Sequence, residues 1–566
     1  VVAQAGSNVE GTQSLVRVDA ARPPALYRIP FSLAAAGIVL IALQAGKPVI
    51  GLALLFTVMF TTASVAWRSF ARRHAPALAL RAQADKALRS GSYGEARSLY
   101  ERALALVQRD LPTGSPEVLL NCYSLATVHS MLHDRVRADE YLQRLLRGLE
   151  DRVPASWRGQ LAWLLRRVAH QHSLAGDHAR AIDLCERALE LVGPAPGADD
   201  TTVRSVVDDV AWIHHHAGQY ATAEYMFREA LAIHEQFRDA ALEVAQRPVR
   251  GTSHADSPYR VPGPAVAPTT GGLDRAVAYS LLGLGWTLFE RARYDEARAC
   301  FERARLVANL AGRPTEGRTR GTSLHVEILR GRGAIEVALG HYDEARQLYD
   351  DARQLAEGSE GSTQRAALAI DLGWLARCAG HNEEADAAYT SAAAALSGGE
   401  ESTGTIACAL HESLAELRRR QGRLREAAKE IQRAASLAEQ CLGPEHPRVA
   451  SIEAIASRIH TARSDWAEAE RCGRRCLAIL RAGLGADHPR CAEGWVALGE
   501  LHLARAQHGA AEHAFSEAMR LREAAFGPAH PELAEVFDGM IAVFRASGRD
   551  HDADALNERR GAVVAA

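Results

Sequence analysis

A fixed period restricts this chain more than any other feature. Leu442-Gly443-Pro444-Glu445-His446-Pro447 returns as Leu484-Gly485-Ala486-Asp487-His488-Pro489, then as Phe526-Gly527-Pro528-Ala529-His530-Pro531, each 42 residues after the last. A period in this range is the mark of like units stacked end to end, each burying its apolar face on the next. Two amphipathic helical stretches lie between successive markers. Gly485 suits the end of one, because glycine tolerates the left-handed conformation there. Pro489 suits the first turn of the next, where its missing N–H would have had no partner. The expected unit is a helix hairpin.

The period extends backwards on one anchor, the alanine early in each second helix: Ala96, Ala138, Ala181, Ala223, Ala297, Ala345, Ala385, Ala427, Ala469, Ala511 and Ala553. Twelve residues before the anchor the residue is small in ten of eleven units (Ala84, Ala126, Ala169, Ala211, Gly285, Gly333, Gly373, Ala415, Ser457 and Gly499), with Ile541 the exception. Five before it stands a turn glycine in seven units: Gly91, Gly176, Gly218, Gly340, Gly380, Gly422 and Gly548. Small residues at these spacings let two helices, and then two hairpins, approach closely. Gly473 and Asn557 replace the bulky residue four after the anchor, so units nine and eleven are expected to pack loosely.

Motifs such as Gly340-His341-Tyr342-Asp343-Glu344-Ala345 and Gly218-Gln219-Tyr220-Ala221-Thr222-Ala223, with the Leu-Gly-x-x-His-Pro connectors, resemble the tetratricopeptide repeat family in its longer, kinesin-light-chain-like form. The resemblance implies an all-α fold, a right-handed α-solenoid of about eleven hairpins. It implies partner-protein binding as the shared activity. The family's clamp for acidic peptide tails uses Lys and Asn at matching places; those are absent here, so a chaperone-tail partner is not expected.

The organisation expected from composition has five parts. Residues 1–27 form a polar tail, and 28–68 hold two apolar runs broken at Gly46-Lys47-Pro48. Repeats one to four span 76–237, a Pro/Gly-rich insertion spans 238–272, and repeats five to eleven span 273–560. Each apolar run approaches the length a helix needs to cross a bilayer, which predicts a transmembrane hairpin. Arg17, Arg22 and Arg28 precede it and Arg68, Arg72 and Arg73 follow it, so both ends are expected on the cytoplasmic side, as in a bacterial inner membrane. Nine scattered cysteines without a Cys-x-x-Cys pair agree with a reducing compartment. A net charge of −3 argues against nucleic acid as a partner.

No catalytic motif appears, and the chain reads as a non-enzyme with no cofactor, no metal and no small-molecule substrate. His214-His215-His216 are adjacent, whereas helical metal ligands need i, i+4 spacing to share a face. His129, His172, His214, His460 and His502 all stand nine before their anchors, which reads as an interhelix contact. A peptide-binding wall is expected instead on the first helix of each hairpin, at eleven, fourteen and fifteen before the anchor. Those positions hold Trp212, Trp286 and Trp374; Arg167, Asp209 and Asp371; and Tyr123, Arg166, Asp208 and Arg330. Aromatics beside arginines suit an extended peptide, which gains stacking and charge-assisted hydrogen bonds together. The expected function is a membrane-anchored scaffold that binds proteins or peptides on its concave face. Alternatives are a structural subunit of a membrane assembly and a helical-repeat nucleic-acid binder.

Overall fold

The computed structural model describes residues 75–149, 153–154, 157–192, 200–246, 271–310, 319–357, 361–397 and 404–565. These form eleven helix hairpins and, among the described residues, no strand. Repeat one is α1 (residues 75–89) and α2 (Tyr93–Val107); repeat two is α3 (Pro116–Met131) and α4 (Arg135–Leu149). Repeat three is α5 (Arg158–Leu174) and α6 (His178–Val192); repeat four is α7 (Asp200–His216) and α8 (Tyr220–Gln246). Repeats five to eight pair α9 (Gly271–Glu290) with α10 (Tyr294–Leu310), α11 (Thr319–Ala338) with α12 (Tyr342–Glu357), α13 (Ser362–Cys378) with α14 (Asn382–Leu396), and α15 (Gly404–Arg420) with α16 (Leu424–Cys441). Repeats nine to eleven pair α17 (Pro447–Ala462) with α18 (Trp466–Leu484), α19 (Cys491–Ala504) with α20 (His508–Phe526), and α21 (Leu533–Ala546) with α22 (Asp550–Ala565). Two compact units divide the chain, one through Leu164 and one from Leu165 onward.

All eleven hairpins turn through the same backbone motif. The residue five before the anchor has positive φ in every repeat: the seven glycines named above, and His133, Ala292, Ser464 and Ala506. The next N–H then reaches back to a carbonyl in the last turn of the first helix, as in Asp177 N to His172 O at 2.9 Å and Arg423 N to Arg418 O at 2.8 Å. The histidines nine before the anchor clasp this turn through side chains. His129 bonds Asp134 at 3.0 Å, His172 bonds Asp177 at 2.9 Å, His214 bonds Gln219 at 2.7 Å and His502 bonds Gln507 at 2.8 Å. Repeat six reverses the pair, with His341 on Glu336 at 2.8 Å.

The core is a row of knobs and notches. The residue twelve before the anchor faces the bulky one four after it. A Cβ on Gly285 would come within 2.8 Å of the Phe301 ring, and one on Gly499 within 2.9 Å of Phe515. Tyr349 and Tyr389 fill the notches at Gly333 and Gly373 in the same way. Burying such an aromatic contributes about 1.5–3 kcal/mol. Repeat nine was expected to be loose at Gly473, yet Leu498 of repeat ten enters that notch, its Cδ2 2.7 Å from where a Cβ would stand. In repeat eleven Asn557 is exposed on the last helix, where no further repeat follows among the described residues.

Two other expectations change. Helix α8 continues to Gln246, past the expected start of the insertion at 238, because 238–246 carries good helix formers and the first proline is Pro248. Pro447 does open α17, whereas Pro489 and Pro531 stand two residues ahead of α19 and α21. The expected membrane localisation is not upheld. Among the described residues no helix is long and apolar enough to cross a membrane. The apolar runs of 28–68, from which the transmembrane hairpin was inferred, lie outside the described residues.

Candidate functional site

The second unit holds a half-open cavity of about 500 Å³. First helices of repeats seven to eleven, the end of α20, and the end of α9 with the start of α10 line it. Trp374, Ile455, Val496, Phe289, Tyr294 and Phe526 give it apolar surface. Between them stand Arg377, Glu416, Arg458, Arg490, Glu493 and Glu535.

These charges are held by one another. Arg458 donates to Glu500 at 2.6 Å and to Glu535 at 2.7 Å, and Arg490 donates to Glu493 and to Glu290, each at 3.1 Å. The Arg458 guanidinium, against the cost of burial, holds the Glu535 carboxyl down to about 2. Glu416 is buried, which alone would raise its carboxyl; Arg419 and Arg458 hold it well below the usual range. The wall is therefore preorganised, and its acidic and basic groups nearly balance in number.

The residues expected to form a groove fall into several settings. Trp374 lines the cavity. Trp286 is half-buried and meets Phe301 edge-on at 5.5 Å. Trp212 is 8% exposed and meets Phe227 edge-on at 5.3 Å, with its indole N–H unpartnered. Both indoles thus rest on the aromatic knob of their own hairpin. Arg166 pairs with Asp209 at 2.5 Å and Arg330 with Asp371 at 2.6 Å, each bridging successive first helices. The carboxylates of Asp371 and Glu327 keep the Arg330 guanidinium above its ordinary value in spite of desolvation. Arg167 is half-buried on α5. Asp208 is 5% exposed, and burial raises its carboxyl while His234 at 2.7 Å and Ser280 at 2.6 Å donate to it. Tyr123 belongs to the first unit, buried and edge-on to Trp157 at 6.4 Å.

The structure brings together a row that the sequence reading began and did not finish. Eleven before the anchor, Trp374 is followed by Glu416, Arg458 and Glu500 at repeat intervals. The first three line the cavity, and Glu500 holds Arg458. Reading that register past repeat seven would have found them.

Potential metal ligands are engaged otherwise. His214 bonds Gln219, while His215 bonds Thr287 at 3.0 Å, so they do not converge. Glu336, His341 and Glu344 place ligand atoms within 4.8 Å of one another, but Arg298 already pairs with Glu336 at 3.1 Å.

No curated protein matches the chain. Among solved structures it is similar to BtubC (BKLC) from P. vanneervenii, with 22% identity over 40% of this chain and 91% of that one, TM-score 0.31. It is similar to the yeast Tom70, with 15% identity over 85% of this chain and 98% of that one, TM-score 0.32. A third is the Rap conjugation gene regulator of the plasmid pLS20 in complex with the Phr* peptide, with 15% identity over 73% and 96%, TM-score 0.43. Tetratricopeptide repeat profiles match residues 160–236, 325–397, 405–482 and 456–524 in one form and 277–308 in another, together just over half of the chain. Those matches fall on the hairpins described above, and the chain belongs to the tetratricopeptide repeat family.

Proposed function

We propose that the second unit is a non-enzymatic scaffold that captures an extended segment of a partner protein in its cavity. One observation carries this reading: Trp374, Glu416 and Arg458 occupy a single register on three successive first helices inside a preformed space. A ligand chain running across the helices meets an aromatic face, a carboxylate and a guanidinium in turn. Both side-chain charges and the ring are already in place, so little ordering cost falls on the protein. The charge balance favours a segment that carries both signs over a polyanion. Arg166, Asp209, Arg330 and Asp371 serve the same wall as ion pairs that hold neighbouring first helices in line.

Peptide-library selection on the full chain tests the reading. Selected peptides are expected to lose about 2 kcal/mol of affinity on Trp374→Ala. They are expected to lose binding altogether on Ile455→Arg, which places an unmatched cation in the cavity, with helicity unchanged in both variants. Peptides whose affinity is untouched by both changes would place binding elsewhere.

A further inference from the structure

The three Leu/Phe-Gly-x-x-His-Pro connectors do more than join repeats, because each lies against a hairpin turn far earlier in the chain. Gly176 presses on the end of α16, just ahead of the first connector: a Cβ there would stand 2.6 Å from the Gln440 carbonyl oxygen. Gly218 packs directly on Pro447 and His446 of that connector. The second connector meets repeat five, where Arg490 pairs with Glu290 at 3.1 Å. The third meets repeats five and six. Tyr294 stacks on Phe526 at 5.3 Å and on His530 at 6.2 Å, its hydroxyl donates to Glu532 at 3.3 Å, and Gly340 sits on Pro531. These contacts form one seam, and the stacked Tyr294 and Phe526 also line the cavity.

Each connector places a histidine in the seam. His446, His488 and His530 accept, through Nδ1, the backbone N–H two residues on, at 3.0, 3.3 and 3.3 Å. That role requires an unprotonated Nδ1. Around His446 stand His178 at 6.5 Å between ring centres, His215 and His216 from α7, and the guanidiniums of Arg448 and Arg490. The carboxylates on this side are already engaged, Glu412 by Arg448 and Glu290 by Arg490. His488 faces Arg490, Arg291 and Glu290; His530 faces Arg522, Tyr294 and Glu532. Each ring thus has an arginine beside it, and the nearest carboxylates already carry an arginine of their own, Glu290 with Arg490 at 3.1 Å and Glu532 with Arg522 at 3.7 Å.

We propose that this seam is an acid-released latch, held shut while the connector histidines are neutral and parted when they take up protons. Burial first, then the neighbouring cations, hold His446 down at about 3, and burial holds His488 and His530 at about 4. A ring freed into water returns to its ordinary value near 6.5. The open form therefore binds more protons below that value, and closure weakens as the pH falls through it. Opening separates Tyr294 from Phe526 and widens the cavity. The latch stands whether or not the cavity takes a peptide.

Hydrogen–deuterium exchange on the full chain, corrected for intrinsic rates, tests this between about pH 7.5 and about pH 5.5. Seam segments at 176–180, 218–222 and 290–296 and the connectors are expected to lose protection by about tenfold per histidine at the lower value. Segments of α14, which lines neither the seam nor the cavity, are expected to hold theirs. The triple variant His446→Asn, His488→Asn and His530→Asn keeps an N-cap acceptor without a titrating ring, and is expected to open at least about tenfold less in acid. Should that variant lose helicity, His446→Asn alone carries the comparison at 176–180 and 218–222. Unchanged protection in the wild type, or equal opening in the asparagine variant, overturns the latch.

Discussion

Repeats six and nine solve the same packing problem from opposite directions. In repeat six Tyr349 of the second helix fills the notch at Gly333 of the first, so the hairpin closes on its own side chain. In repeat nine the second helix offers only Gly473, and the filling group is Leu498 from repeat ten. Ser457 uses its hydroxyl locally, donating to the Ala469 carbonyl at 2.6 Å. The notch is filled in both repeats, but repeat six contains its knob and repeat nine borrows one. Stability in such an array divides into a term for each repeat and a term for each interface. The two repeats place the same packing in different terms.

The largest effect that breaks this contrast is Tyr349→Ala, expected to cost about 3–5 kcal/mol because no neighbour can enter the vacated space. Thermal unfolding of the full chain reads it, and a small loss would show that a neighbour fills the Gly333 notch. Leu498→Ala is expected to cost about 3 kcal/mol and, in exchange measurements, to expose α18 of repeat nine as well as its own helix. Confinement of the damage to repeat ten would remove the idea of a borrowed knob.

The turns sharpen the comparison at lower energies, since all share one backbone shape and differ in residue. A Cβ on Gly380 would meet nothing, so Gly380→Ala isolates backbone strain, expected at about 1–2 kcal/mol of lost stability. The reverse change, Ala506→Gly at φ 55, is expected to gain about 0.5–1 kcal/mol after the entropy of glycine in the unfolded chain is counted. A loss at Ala506→Gly would mean that the alanine methyl group makes a contact that outweighs the strain.

Much of the fold was legible because the period is. The anchors locate every hairpin, and the seven glycines mark seven of the eleven left-handed turns. The other four carry His133, Ala292, Ser464 and Ala506, residues whose identity does not call for positive φ; only the register reveals them. The candidate site was less legible. Residues one turn from the small notch were read as facing a ligand, but Arg166 and Asp209, or Arg330 and Asp371, face each other across one repeat step. A period makes such opposite charges near neighbours, and it could have been read that way. The contacts of Gly218 with Pro447, or Tyr294 with Phe526, could not. They join positions more than two hundred residues apart and depend on the pitch of the stacked hairpins, which no local pattern encodes.

An array with only nearest-neighbour contacts melts from its ends inward, one hairpin at a time, and can be shortened with little consequence for what remains. The bond from Arg490 to Glu290 changes that behaviour. It makes the tenth repeat a neighbour of the fifth, so fraying at the carboxyl end is opposed by a hairpin far upstream, and unfolding of repeats five to ten is expected to be more concerted than in a purely linear array. The same bond slows assembly, because its loop of two hundred residues must be ordered before it forms. A truncated chain ending after repeat seven, which lacks every such distant contact described above, would fold sooner and come apart by degrees.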